Sequence, residues 1–336
     1  MRTTVIPLEA IKVPLATGSR PLKRKLLVLG EISTWAREIL SSLSERSVNA
    51  VHHIHDAASS THEELLVLVQ HYNVTDVVVA SSGQPSQATP DSMYDYLLTL
   101  KLMGIRVHEL STFCERAVGK LILHDRAARG FVFGSHYHFD RRWQAVKRVV
   151  DIAVALGLLI LTLPLLFGVA LAVGATSRGP VFYRQERVGM GGRTFSIIKF
   201  RSMRVDAEQD GIARFATRDD DRVTPVGRFL RKTRIDELPQ LLNVIVGDMS
   251  IVGPRPERPV FTQRFKETVP LYDLRHSVKP GVTGWAQVKE CYAASETETQ
   301  NKVARDLYYI KHGSLWMDIE VMTRTVLVML ACQGSR

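Results

Sequence analysis

The sequence predicts an α/β chain: a Rossmann-like, doubly wound N-terminal domain, then a membrane helix that either re-enters or crosses, then a mainly α-helical domain. Three features of its 336 residues lead there. Strand-like and helix-like runs alternate from Lys23 onward. Ile152 to Ala175 is a stretch of 24 residues without a charge. The formal net charge of +10 lies wholly beyond residue 140, because Lys+Arg and Asp+Glu balance before it. These features suggest a tail over 1–22, an α/β domain over 23–127, a linker over 128–145, a membrane segment over 146–178 and a C-terminal domain over 179–334.

In the first half, "LLVLG", "AVHHIH", "DVVVAS" and "IRVHEL" read as strands, and "ISTWAREILSSL", "HEELLVLVQHY" and "DSMYDYLLTLKLM" as helices. Such alternation indicates a parallel sheet wrapped by helices. A dinucleotide site there needs several glycines at the first strand–helix turn. The turn "LGEISTWARE" has Gly30 alone, so no dinucleotide is expected. His53 and His55 share a strand face, but with no acid or cysteine set nearby they read as surface histidines. Cys114, Cys291 and Cys332 form no CxxC, which excludes a zinc framework and suits a reducing cytoplasm. The first twenty residues lack the apolar run of a signal peptide.

The uncharged stretch is long enough, at about 1.5 Å per helical residue, to span a hydrocarbon core of ~30 Å. Pro164 divides it into two arms, each about half a bilayer thick. Basic residues flank both ends: Arg141, Arg142, Lys147 and Arg148 before, Arg178, Arg184 and Arg187 after. Positive charge marks the cytoplasmic side, so a kinked helix that returns by the leaflet it entered satisfies both facts. A proline-kinked crossing helix stands as an equal alternative on the residues alone.

Beyond the membrane stretch, "RKTRIDELPQ" places Asp236 and Glu237 just ahead of Leu238, Leu241, Leu242, Ile245 and Val246, one apolar stripe at helical spacing. Gly247 is placed to end that helix. Acidic residues at a helix start are usual capping residues. The surroundings point further. Arg228, Arg231, Lys232 and Arg234 precede the pair, and "GPRPERP" follows with Arg255 and Arg258. Arginine forks and helix N-termini suit phosphate oxygens. Paired carboxylates can hold Mg²⁺ or supply a nucleophile. Alternatively, the arginines form a solvated face paired with Asp219, Asp220 and Asp221.

"GPVFYRQERVG", "FSIIKFRSM", "RFLRKTRIDELPQLLNVIVGDMSIVGPRPERP" and "YDLRHSVKPGVTGWAQV" follow one another in order, within a match from about Ala145 to Leu330. Together they resemble the bacterial sugar transferases, also called monotopic phosphoglycosyl transferases or polyprenyl-phosphate glycosyl-1-phosphate transferases. The resemblance implies transfer of sugar-1-phosphate from a UDP-sugar to undecaprenyl phosphate, with release of UMP, as the first membrane step of exopolysaccharide, O-antigen, capsule or glycan assembly. It implies Asp236 as nucleophile of a covalent phosphosugar–Asp intermediate, Glu237 as general base, and Mg²⁺ held by Asp236 and Glu237. It maps phosphate-binding roles onto Lys199, Arg201, Arg231, Arg234, Arg255 and Arg258. "PGVTGW" and its neighbours offer Thr283, Trp285 and Gln287 for substrate contact, or simply a turn.

The resemblance also supports the re-entrant helix kinked at Pro164, lodged in the bacterial inner membrane with the catalytic domain and both termini in the cytoplasm. It departs at Leu163, where many relatives carry Ser, and in lacking the several transmembrane helices with which larger relatives begin. The partners implied are the UDP-sugar, the undecaprenyl phosphate and membrane lipid. Homo-oligomerisation is compatible, and no nucleic acid is expected despite the basic half. A catalytically silent membrane sensor of nucleotide or lipid is the competing function.

Overall fold

The computed structural model describes residues 24–44, 48–54, 62–80, 91–123, 141–207, 220–289 and 296–330. The tail over 1–22, the greater part of the linker, Cys291, Cys332, His55 and the side chain of His53 lie outside them. The chain forms two compact units, Met1–Gly119 and Lys120–Arg336.

Unit one holds β1 (Arg24–Leu29), α1 (Thr34–Ser44), β2 (Val48–Ile54), α2 (His62–His71), β3 (Asp76–Val79), α3 (Asp91–Leu102), β4 (Arg106–Glu109) and α4 (Leu110–Val118). The strands form a four-stranded sheet, order β2-β1-β3-β4, and every pair is parallel. Leu26, Leu27, Val28 and Leu29 are all buried, as expected of a central strand covered on both faces. Leu27, Leu29 and Val77 share a core with Leu65, Val69, Met93, Tyr96 and Leu100 from α2 and α3. The lone glycine of the first strand–helix turn has a packing reason. Gly30 sits at φ +97°, and a Cβ there would meet the Ala80 carbonyl oxygen at 2.6 Å.

Unit two begins with α5 (Arg141–Thr176), one continuous helix of 36 residues. The helix runs on through Pro164, the expected site of a kink. Pro164 removes a single N–H, while the Thr162 hydroxyl donates to the Leu158 carbonyl at 2.7 Å, and so does not satisfy the carbonyl one turn before the proline. Near its start, α5 is gripped by the unit. Arg148 donates to the carbonyls of Val244 and Ile245, Asp151 accepts from the Ile251 amide at 3.1 Å, and Ala155 is wholly buried. Near its end, Val169 and Val173 pack with Phe200 and Leu230, and the Ser177 carbonyl accepts from Arg201. Between these grips Ile160, Leu161, Leu163 and Phe167 are exposed.

Next come β5 (Phe182–Val188) and β6 (Thr194–Phe200), an antiparallel hairpin turning through Met190–Gly192. Then follow α6 (Pro225–Thr233), α7 (Leu241–Val246), β7 (Ser250–Val252), α8 (Pro259–Thr268), β8 (Gly281–Thr283), α9 (Trp285–Lys289), α10 (Glu296–His312) and α11 (Leu315–Leu330). Strands β7 and β8 pair in parallel. The core gathers Leu241, Val244, Met249, Ile251, Tyr272, Val303 and Leu307.

Candidate active site

Helix α6 starts as its sequence directs: the Thr224 hydroxyl accepts from the Gly227 amide at 2.9 Å, and Pro225 occupies the first turn. It ends on Arg234, a non-glycine residue in the left-handed region at φ +56°. Ile235–Gln240 then forms a 3₁₀ turn, which leads into α7. The single helix expected from Leu238 onward is thus two elements. Pro239 lacks the N–H that an α-helix would use and favours the tighter turn. The tighter turn rotates the stripe. Leu241 and Val244 face the core, whereas Leu242 and Val246, expected inside, are 40 % and 76 % exposed. Gly247, at φ +109°, closes α7 as expected.

Asp236 and Glu237 are adjacent and buried, 8 % and 9 % exposed, yet their surroundings differ. Glu237 Oε1 accepts from Lys199 Nζ at 2.8 Å and from Arg255 Nη2 at 2.7 Å, and Arg234 Nη1 lies 3.6 Å from Oε2. Burial alone would raise the Glu237 pKa, but Arg255 and Lys199 outweigh it and hold this carboxyl well below the usual range. Glu237 in turn raises the Arg255 pKa. Burial pulls Lys199 below its ordinary value while Glu237 works to keep its proton in place. Among the described residues nothing donates a hydrogen bond to the Asp236 carboxylate. Burial, then the charge of Glu237, lift Asp236 to about 6 against the opposing pull of Lys199, Arg231 and Arg255.

Three segments bring these cations to the pair. Lys199 comes from β6, Arg231 and Arg234 from α6 and its end, and Arg255 from the loop after β7. Asn243 ties two of the parts together, donating from Nδ2 to the Ser196 carbonyl at 2.8 Å and accepting at Oδ1 from the Ile198 amide at 3.1 Å. Sequence reasoning missed Asn243. Its only signal was a polar residue inside the apolar run "LLNVIV".

The remaining candidates make their contacts elsewhere. Arg201 donates to the Ser177 carbonyl at 2.8 Å and hydroxyl at 2.7 Å, just past the end of α5. The Arg258 guanidinium lies 5.9 Å from the Phe261 ring centroid. The Thr283 and Thr325 hydroxyls are 2.7 Å apart, Trp285 stacks on Tyr308, and Gln287 donates weakly to the Val282 carbonyl at 3.5 Å. The glycines of "PGVTGW" serve the backbone: a Cβ on Gly281 would meet the Gly253 amide nitrogen at 2.1 Å.

A buried acid pair with one anchored and one open carboxylate, ringed by cations, suits attack on a phosphoryl centre. Comparison with known sequences bears on this arrangement. Residues 142–332 match the profile of the bacterial sugar transferases.

The chain belongs to the bacterial sugar transferase family.

Relatives of the chain include the UDP-N-acetylgalactosamine-undecaprenyl-phosphate N-acetylgalactosaminephosphotransferase of Aeromonas hydrophila, 41% identical over 244 residues, which are 72% of this chain and 56% of that one. The UDP-glucose:undecaprenyl-phosphate glucose-1-phosphate transferase of Escherichia coli strain K12 is 46% identical over 183 residues, 54% of this chain and 39% of that one. A protein of the same name from Caulobacter vibrioides is 45% identical over 191 residues, 56% of this chain and 71% of that one. The chain therefore spans about half the length of the first relative, less of the second and most of the third.

Proposed function

We propose that the chain transfers sugar-1-phosphate from a UDP-sugar to undecaprenyl phosphate and releases UMP. The observation that carries this reading is the asymmetry of the acid pair. Asp236 is open, buried and ionisable near neutrality, while Glu237 is fastened to Lys199 and Arg255. In the first step an Asp236 oxygen attacks the phosphorus that bears the sugar. An acyl–phosphate O–P bond forms, the P–O bond to the second phosphate breaks, and UMP leaves with the electron pair. In the second step a phosphate oxygen of the polyprenyl acceptor attacks the same phosphorus and returns the Asp236 carboxylate. Lys199, Arg231, Arg234 and Arg255 offset the negative charge of both substrates in turn. Because Glu237 is held ionised by two cations, it orients Lys199 and Arg255, and general-base work falls to it only when substrate draws those cations away.

Mg²⁺ fits these residues as a partner of substrate phosphates. Among the described residues no group of three or more His, Cys, Asp or Glu side chains gathers, but Mg²⁺ commonly takes one or two carboxylates and completes its shell with phosphate and water. Asp236 and the less engaged Glu237 Oε2 would hold it, and when bound it would withdraw charge from the phosphate oxygens.

The chain is read as sitting on the cytoplasmic face of the bacterial inner membrane, with α5 entering and leaving by one leaflet. A crossing helix puts its two ends in different aqueous compartments. Here one unit grips both ends of α5, through Arg148 and Asp151 at one and Arg201 at the other, while the exposed apolar side chains lie between. Unit one is read as Rossmann-like in the wider sense of a doubly wound parallel sheet, its order β2-β1-β3-β4 being the flavodoxin-type arrangement.

The test is UMP release by the purified full chain with undecaprenyl phosphate, Mg²⁺ and a panel of UDP-sugars that includes the glucose and N-acetylgalactosamine donors. Release with at least one donor supports the reading. No release with any donor sinks it and favours a non-catalytic lipid or nucleotide sensor.

A further inference from the structure

The loop that presents Arg255 has no regular secondary structure, yet its backbone is tied at every step. The carbonyls of residues 254 to 258 all accept hydrogen bonds. Pro254 accepts from the Gly281 amide at 2.9 Å, Arg255 from Arg275 Nη2 at 2.9 Å, Pro256 from Arg187 Nη1 at 3.1 Å, Glu257 from the Val188 amide at 2.9 Å, and Arg258 from the amides of Phe261 and Thr262. The Glu257 side chain is itself paired with Lys302 and lies 3.9 Å from Arg187.

Among these ties Arg275 stands apart. It belongs to the short 3₁₀ segment Tyr272–Ser277, is 3 % exposed, and reaches the loop only by its guanidinium. Nη1 donates to the Tyr272 hydroxyl at 2.9 Å, and Nη2 donates both to the Arg255 carbonyl and to Asp306 of α10 at 2.7 Å. Asp306 is 2 % exposed. A buried ion pair is a costly way to stabilise a fold, since apolar residues of similar volume often serve as well. What this pair adds is a planar donor fixed in direction, and one of its targets is the backbone of the arginine that grips Glu237.

We propose that Arg275, held by Asp306, is a positioning residue for the transfer reaction: it fixes the Arg255 backbone and so aims the Arg255 guanidinium at Glu237 and at substrate phosphate. This inference rests on the function proposed above. Arg275 touches neither Asp236 nor Glu237 in any hydrogen bond or ion pair among the described residues, so its influence passes through Arg255. If Arg255 drifts, its guanidinium no longer meets Glu237 at 2.7 Å, and the cation offered to substrate phosphate is misplaced.

The experiment measures kcat and KM for the UDP-sugar in UMP release by full-length variants, with a thermal melt of each. Arg275→Met combined with Asp306→Asn removes the guanidinium donor without leaving a buried charge unpaired. It is expected to lower kcat about 10- to 100-fold, with a smaller change in KM. Asp306→Asn alone keeps an oxygen that can accept from Arg275 and is expected to lower kcat less than the double variant does. Should the double variant not purify folded, Arg275→Lys retains a cation for Asp306 but loses the two-pronged fork, and the same fall in kcat with a smaller change in KM is expected. Wild-type kcat in a folded Arg275 variant would overturn the positioning role alone. A wild-type chain that releases no UMP would overturn the parent reading and this one with it.

Discussion

Glu237 and Arg255, eighteen residues apart in sequence, meet at 2.7 Å, and that contact separates the roles of two neighbouring carboxylates. With Arg255 and Lys199 committed to Glu237, Asp236 is left buried beside them with no donor of its own among the described residues. Adjacent acids in one turn thereby acquire opposite tendencies, one locked as an anion and one titrating near neutrality.

Asp236→Asn is expected to lower UMP release by about 10⁴-fold or more, the scale of loss when a nucleophile is removed. The protein is expected to fold, because among the described residues Asp236 accepts no hydrogen bond that the amide must replace. Single-turnover assays with labelled donor, together with a thermal melt, check both halves. Turnover within tenfold of wild type would remove Asp236 from the nucleophile role.

Glu237→Gln is expected to fail differently. It leaves Lys199 and Arg255 buried against one another without their anion. Breaking a buried pair costs about 3–5 kcal/mol, and the lower end applies here because the Arg255 side chain is 29% exposed. Urea denaturation of both proteins measures the difference. A variant as stable as wild type would show that the cations do not depend on Glu237.

The pH dependence has a definite sign. Asp236 must be ionised to attack, so kcat/KM should fall as pH drops through about 6. Stability runs the other way. The folded state holds the Asp236 proton more tightly than the unfolded chain, so this contribution is present below about pH 4 and is lost as pH rises towards 6. Asp236→Asn should therefore gain stability relative to wild type between those pH values. Parallel pH–rate and pH–melt series read both, and a flat difference across that interval would contradict the burial of an ionisable Asp236.

For the membrane helix, single cysteines at Arg142 and Arg178, in a background without the native cysteines, are expected to react with an impermeant maleimide only after the inner membrane is opened. Labelling of one site from outside intact spheroplasts would restore a crossing helix.

Much of this was legible in the sequence because it depends on local pattern. The alternation of "LLVLG" and "DVVVAS" with helical runs is written in side-chain periodicity, and the parallel pairing follows from it. The uncharged run from Ile152 to Ala175 and the cluster of arginines around Asp236 are matters of composition. Other features were not legible. The stripe from Leu238 to Val246 was assigned a single phase, and Pro239 reset that phase by imposing a 3₁₀ turn. Asn243 showed only as a polar residue in an apolar run and Arg275 gave no local signal, since each acts through partners more than thirty residues away or on another element.

By itself, then, the sequence determined the kinds of element, the apolar segment and the presence of two adjacent acids among many cations. It could not say which acid would be anchored and which left open. That was decided in three dimensions, where β6 delivers Lys199 and the tied loop delivers Arg255 to one carboxylate and not to its neighbour. The physical reason is that a carboxylate's pKa depends on distances and burial set by distant parts of the chain, and adjacency in sequence fixes neither.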